Sequence, residues 1–452
     1  MGGPRRETAD VSDARTGVPS GSFLRVPSVG AKPGTGVRLY TLAAGVVGLA
    51  ALVWVSAGLT LVVFTSLMWL QAALKLGATI TPSVGSPERD VGEWPTYTVL
   101  VPLHHEAAGV PRLVGALQKL DYPPEKLDVR FLCEADDAST LDAVRKSRFG
   151  SLVVVPQGGP RTKPNALTYA MRESFGEFVT IYDAEDSPHP AQLKTAVRAF
   201  AADPGLVAVQ APLHVDNSLQ RWITRQFALE YAALFHVWLP WLVAQGLPIP
   251  LGGTSNHIRT DALVKAGGWD PYNVTEDADL TYRLALDPAA RFGWIAPPTR
   301  EEAVATLKAW HGQRTRWLKG FAQTWFAHAR QVRGAGGARR SLSLHVTIGL
   351  TLLSALFHLP VLALSVALFT TGVLPGALMT GVGVLLYLSG VVVCFVGARR
   401  AGLTPRPGDL LTVPLYWWAL TFPAWVAVWE LIFRPHYWNK TAHGVSAREE
   451  PA

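Results

Sequence analysis

Not one formal charge interrupts the chain between Leu39 and Leu74. A helix crosses a bilayer with roughly 20 apolar residues, so this block of 36 residues is long for one upright span. It suits a helical hairpin over 37–80, turning near Ser56-Ala57-Gly58, with one long tilted helix as the alternative. Further apolar blocks fall at about 342–370, 377–397 and 410–432. Only 17% of residues are charged and the mean hydropathy is +0.20, so part of the chain belongs in lipid. Basic residues gather at the block ends: Arg5, Arg6, Arg15, Arg25 and Arg38 before the first, Arg339 and Arg340 before the second, Arg399 and Arg400 after the third. That is the positive-inside pattern. With a hairpin first, it puts the middle of the chain on the cytoplasmic side of a cell membrane crossed several times. It also accounts for the net charge of +7 without a nucleic-acid partner.

Residues 1–36 are rich in Gly, Pro, Ser and Arg with no apolar period, and read as a disordered tail. From Trp94 to about Trp317 the pattern changes. Tyr97–Pro102, Val129–Cys133, Ser151–Val155 and Phe178–Tyr182 are buried-strand runs, separated by helical stretches near 107–120, 138–148, 164–174 and 190–202. Alternation at this spacing predicts a mostly parallel sheet covered on both faces, spanning 81–320. Ligands of such sheets bind beyond the carboxyl ends of the strands. The segment 321–340, with Phe321, Trp325 and Phe326 among Lys319, His328, Arg330 and Arg333, predicts an amphipathic helix in the membrane interface or on an ordinary surface. Residues 341–433 are read as membrane helices and 434–452 as a tail. Pro414 and Pro423 interrupt the last block, and Glu430 is placed at the interface. Cys133 and Cys394 have no metal-ligand spacing and form no disulfide framework, which fits a reducing compartment.

The polar motifs follow the strands. His104-His105-Glu106 comes after the first, its histidines read as loop hydrogen-bonders. Glu134-Ala135-Asp136-Asp137 comes after the second; its carboxylates either bind a cationic or metal-bound ligand or cap the next helix. Lys163 adds a point cation for phosphate. Asp183-Ala184-Glu185-Asp186 after the fourth strand offers hard oxygen ligands for a divalent cation. Gly252-Gly253-Thr254-Ser255 is either a tight turn or a loop whose backbone and hydroxyls meet a sugar acceptor. Thr275-Glu276-Asp277-Ala278-Asp279 supplies a carboxylate that can take a proton, or caps a helix. Gln313-Arg314-Thr315-Arg316-Trp317 places Arg for phosphate and Trp for an apolar sugar face.

Taken together, Asp136-Asp137, Asp183-Ala184-Glu185, Thr275-Glu276-Asp277 and Gln313-x-x-Arg316-Trp317 resemble the motif set of the membrane-integrated family 2 glycosyltransferases, the group that includes cellulose, hyaluronan and chitin synthases. The resemblance covers about 94–320. It implies an α/β GT-A fold (Rossmann-like, mostly parallel sheet) flanked by transmembrane helices, and inverting transfer from a nucleotide-diphosphate sugar, by analogy a UDP-sugar. It implies that Glu106, Asp136, Asp137, Lys163, Asp183, Gln313, Arg316 and Trp317 bind the donor. Asp277 would be the general base with Glu276 beside it, and Gly253, Thr254, Ser255 and Trp317 would meet the acceptor. Mg2+ or Mn2+ would sit on Asp183 with Glu185 or Asp186; the usual Asp-x-Asp is here Asp183-Ala184-Glu185-Asp186. Processive β-glycan synthesis is the leading expectation, with accessory export subunits as compatible partners. Transfer of a single sugar to a lipid is the alternative, and an inactive binding subunit is disfavoured because every motif position is filled.

Overall fold

The computed structural model describes residue 48 and residues 56–434, apart from 158–159, 174, 331–336 and 373–375. The first arm of the expected hairpin, save residue 48, and both expected tails, save Arg434, therefore lie outside the described residues. Helix α1 (Ala57–Ala78) starts where the turn was expected: Ser56 Oγ accepts the Leu59 N–H at 3.0 Å and caps it.

Strands β1 (Tyr97–Leu103), β2 (Leu127–Glu134), β3 (Ser151–Val155) and β4 (Phe178–Ile181) match the four predicted runs. The helices between them are α2 (Val110–Leu117), α3 (Ala138–Ser147), α4 (Lys163–Ala170) and, after the short strand β5 (Ser187–Pro188), α5 (Gln192–Ala202). With β6 (Leu206–Gln210), β8 (Asn256–Arg259) and β9 (Arg291–Trp294) they build a seven-stranded sheet in the order β3-β2-β1-β4-β8-β6-β9. A second sheet pairs β5, β10 (Thr299–Glu301) and β7 (Leu213–Val215). Both faces of the large sheet are covered, as a continuous apolar run requires: Leu100, Leu132 and Ile181 pack on one side, Val99, Val101 and Phe131 on the other.

All pairings in the large sheet are parallel except those of β8, which runs against both β4 and β6. That reversal positions the site. The loop preceding β8, Gly252–Ser255, is thereby delivered to the edge where β1, β2 and β4 end.

Two elements differ from expectation. Trp222–Ala244, here α6, is one apolar helix with a π-turn at Leu234–Trp238, inside a stretch read as soluble. Its two charges interrupt the hydropathy signal, but both are paired: Arg225 with Asp409 at 2.7 Å and Glu230 with Arg314 at 2.5 Å. The second concerns 321–340. After α7 (Thr260–Lys265) and α8 (Glu276–Leu284), a single helix α9 runs from Leu307 to His328, so no separate interface helix begins at 321. Position 320 of α9 has no room for a side chain: a Cβ there would collide with the Thr275 side chain. Gly320→Val should lower the melting temperature, at a cost of about 1–3 kcal/mol for overpacking, and part the two motif-bearing helices; an unchanged melting curve would argue against this contact.

Beyond α9 lie α10 (Gly337–Thr370), α11 (Gly376–Arg400), a short α12 (Pro407–Leu411), α13 (Val413–Ala419) and α14 (Thr421–Phe433). The last apolar block is divided at Leu420, with Pro414 and Pro423 early in its two halves, where proline disturbs a helix least. Glu430 does not simply sit at the interface: it pairs with the buried Lys319 at 2.8 Å and ties α14 to α9. Among the described residues five helices are long and apolar enough to cross a membrane: α1, α6, α10, 383–400 of α11, and 413–433.

Candidate active site

One cavity of about 550 Å³ runs from the sheet edge into the helices. It is lined by Glu106, Lys163, Asp183, Glu185, Gly253, Glu276, Asp277, Gln313, Arg316 and Trp317, so the structure brings most of the sequence candidates to one place.

Lys163 lies at the centre of this group. Thr162 caps α4, its Oγ1 accepting the Asn165 N–H, and so fixes the first turn from which Lys163 projects. Its Nζ pairs with Asp183 Oδ1 and donates to the Gly253 carbonyl at 2.7 Å. A Cβ built on Gly253 would lie 3.4 Å from Asp277 Oδ2 and 3.6 Å from Lys163 Nζ, which shows how closely the loop passes between them. Burial works against the ammonium charge, but Asp183, Glu276 and Asp277 outweigh it and hold its pKa above the usual value. Lys163 is thus committed to a carboxylate and to the loop carbonyl.

Glu276 and Asp277 open α8. The Ala278 N–H donates to Asp277 Oδ1 at 2.7 Å, as a first-turn carboxylate can. Burial raises the pKa of Asp277, against the opposing pull of that N–H and of Lys163. Burial and the neighbouring Asp277 push Glu276 up to about 7. Both groups therefore favour their protonated forms more than exposed carboxyls do.

On α9 the motif divides. Gln313 and Arg316 line the cavity. Arg314 pairs with Glu230 on α6, donates to Tyr416 Oη at 2.9 Å, and lies over the Trp317 ring at 4.4 Å. Trp317 stacks on Tyr231 with centroids 6.4 Å apart and planes 12° apart. The ring is thereby held between Tyr231 of α6 and Arg314 on the cavity wall.

Other candidates are placed differently. Asp137 does not line the cavity: it is buried, caps α3 by accepting the Thr140 N–H at 3.2 Å, and accepts the His105 N–H at 2.5 Å. Burial opposes ionisation there, but these hydrogen bonds win and hold its pKa at about 2. The helix-cap alternative is thus the one the geometry shows. Potential ligand atoms of His104, His105 and Asp137 do lie within 4.8 Å of one another, with the Asp137 oxygens already accepting. Asp136 pairs with Arg161 at 2.6 Å, and it is Arg161 that lines the cavity.

The hydroxyls of Thr254 and Ser255 are turned inward. Thr254 Oγ1 meets Asp186 and the Ile181 carbonyl, and Ser255 Oγ donates to Thr299 Oγ1 at 2.6 Å. They hold the loop; Gly252, Gly253 and Thr254 line the cavity and Ser255 does not. Asp186, 1% exposed, accepts the Asp183 N–H at 2.7 Å and faces the interior, while Glu185 lines the cavity. Burial, Asp183 and Glu185 together raise the Asp186 pKa well above the usual range.

Sequence reasoning missed Glu301. It lines the cavity, and burial together with Asp186, Glu185 and Asp183 raises its pKa well above normal. The adjacent Glu301-Glu302 pair was the only available signal. Asp183 and Glu185 offer the hard oxygen donors that Mg2+ and Mn2+ take, and a divalent cation there would offset the negative charge that helps raise the pKa of Asp186 and Glu301.

This sheet, with carboxylates at its switch edge and an Arg/Trp helix closing it, defines a GT-A glycosyltransferase. The family profile described as "Glycosyltransferase like family 2" matches residues 95–320, and the chain belongs to that family. It is 28% identical over 424 residues to the beta-monoglucosyldiacylglycerol synthase of Synechocystis sp., covering 88% of this chain and 85% of that protein. It is 28% identical over 248 residues to cellulose synthase 2 of Novacetimonas hansenii, covering 52% of this chain and 15% of that protein. Its fold is similar to that of a mannosyltransferase from Pyrobaculum calidifontis solved in complex with GDP-Man and Mn2+, with a TM-score of 0.55 and 22% identity over 82% of this chain and 99% of that one.

Proposed function

We propose that this glycosyltransferase moves a hexose from a nucleoside diphosphate sugar, by family analogy a UDP-sugar, to the hydroxyl of a membrane lipid. The observation that carries this reading is the continuity of the cavity: from Asp277 it passes Trp317 and ends among Met68, Ala72, Ile348, Ala355, Val393 and Leu420 of the apolar helices. Aliphatic walls suit acyl chains better than sugar hydroxyls. The match over nearly the whole length of a glycolipid synthase supports the same conclusion.

In this reading Gln313 and Arg316 hold the donor diphosphate, and Lys163 adds a third donor to it. Asp277 removes the acceptor proton as the hydroxyl oxygen attacks the anomeric carbon. The bond from that carbon to the phosphate oxygen breaks with its electron pair, and the nucleoside diphosphate leaves with inversion. Asp183 and Glu185 would hold Mg2+ or Mn2+, which neutralises charge on the leaving diphosphate. The catalytic domain faces the cytoplasm, following Arg339, Arg340, Arg399 and Arg400.

Processive β-glycan synthesis is the second reading, favoured by aromatic faces along the cavity: Trp317, Tyr231, Tyr387 and Trp417. Membranes given radiolabelled UDP-sugars separate the two. Label in the organic phase supports the lipid acceptor; a long water-soluble polymer overturns it. Chelation by EDTA should abolish transfer and Mn2+ or Mg2+ should restore it, with Asp183→Asn lowering activity at least about 100-fold; full activity in EDTA would remove the metal from this scheme.

A further inference from the structure

The lipid-acceptor reading leaves two side chains of α1 unexplained. Gln71 and Lys75 are four residues apart, hence on one helix face, and both line the membrane-side part of the cavity. Gln71 is 8% exposed. Among the described residues neither side chain makes a hydrogen bond or an ion pair. Three other cations on the cavity wall are paired: Arg161 with Asp136, Lys163 with Asp183, Arg314 with Glu230. Cys394 and, after it, Glu230 act on Lys75 through space, and Glu230 is engaged by Arg314 and Tyr416.

An ionisable group facing a cavity inside a helix bundle marks a ligand path, and an ammonium left without an anion in apolar surroundings is costly. A cation in the last turn of a helix is favoured by the helix dipole, and a lysine there can snorkel to water. Neither tendency accounts for a side chain turned into the cavity beside a second unmatched donor.

We infer that Gln71 and Lys75 receive the phosphate of an anionic phospholipid acceptor, whose headgroup hydroxyl reaches Asp277 while its acyl chains lie among Leu234, Phe235, Val393 and Leu420. The chemistry of transfer is unchanged: the headgroup O–H proton goes to Asp277, the new bond joins that oxygen to the anomeric carbon, and the nucleoside diphosphate departs. The phosphate contributes binding and selects the acceptor. The donor diphosphate is the other source of the same ligand chemistry.

The test uses the full chain in nanodiscs, with phosphatidylglycerol or diacylglycerol of matched chains as acceptor, and compares wild type with Lys75→Gln, Lys75→Arg and Gln71→Leu. Wild type should prefer phosphatidylglycerol. Lys75→Gln should raise its KM about tenfold or more, the scale of a hydrogen bond to a charged group, with the KM for diacylglycerol and for donor unmoved and Lys75→Arg close to wild type. An equal rise with diacylglycerol would make Lys75 structural and overturn the inference. A rise in donor KM alone would assign the pair to the donor diphosphate and overturn it too. Product from diacylglycerol only would sink the phosphate site while leaving the lipid-acceptor reading intact; a water-soluble polymer with no lipid product would sink both.

Discussion

Asp277→Asn should lower sugar transfer by about 10²–10⁴-fold, the range a positioned general base contributes, with little change in the KM for donor. The substitution keeps an oxygen that can accept the Ala278 N–H, so the first turn of α8 is preserved. Stability should hold or rise. Burial raises the Asp277 pKa, so the folded state binds protons over a pH range where the unfolded chain has released them. The stabilising protonated form is lost as pH rises through the folded pKa, and Asn removes that loss. The same shift predicts the pH–rate profile. Asp277 must be ionised to act, so activity falls as pH drops through a pKa above the usual Asp value of about 3.9. Glu276, pushed to about 7, is the competing base. Glu276→Gln should leave the base in place, and its profile shows which carboxyl sets the acid limb. Steady-state rates across pH for both variants decide this, and an Asp277→Asn enzyme within tenfold of wild type would remove Asp277 from the role.

The four leading strands were legible because each is a continuous apolar run of strand length, and the motifs after them were legible because parallel topology gathers carboxyl ends at one edge. What stayed hidden depended on where a side chain points, or on partners far along the chain. Glu185 and Asp186 are adjacent, yet one lines the cavity and the other accepts hydrogen bonds inside the loop. Ser255 has φ of 55°, in the left-handed region, and this local bend carries its hydroxyl inward to Thr299 rather than out to an acceptor. Asp137 reads equally as ligand or cap until α3 is seen to begin on it. Helix α6 was missed because its charges are neutralised by Asp409 and Arg314, 184 and 84 residues away, and no local pattern records such partners.

Asp279→Ala should cost about 3–5 kcal/mol, the scale for breaking a buried charge pair by removing one partner. Asp279 is 0% exposed. It accepts from Arg283 Nε at 2.7 Å and meets His328 Nε2 at 2.7 Å. Arg283 in turn donates to the Ala266 carbonyl at 2.7 Å and to that of Gly268. One carboxylate thus joins α8, which carries Asp277, to α9, which carries Gln313 and Arg316, and to the Gly267-Gly268 turn before them. Burial alone would raise the Asp279 pKa; Arg283 and His328 overcome it and hold the pKa below normal. A depressed carboxyl contributes stability above its unfolded pKa and loses it only as pH falls through the folded one, so at neutral pH the full effect should appear as a drop in melting temperature. The loss comes mainly from a stranded guanidinium rather than a missing attraction. Adding Arg283→Leu should therefore recover part of it, whereas adding a second change outside the network should not. A single-variant cost under about 1 kcal/mol, or a double variant worse than the sum of the two singles, would show that the network does not join the two motif helices.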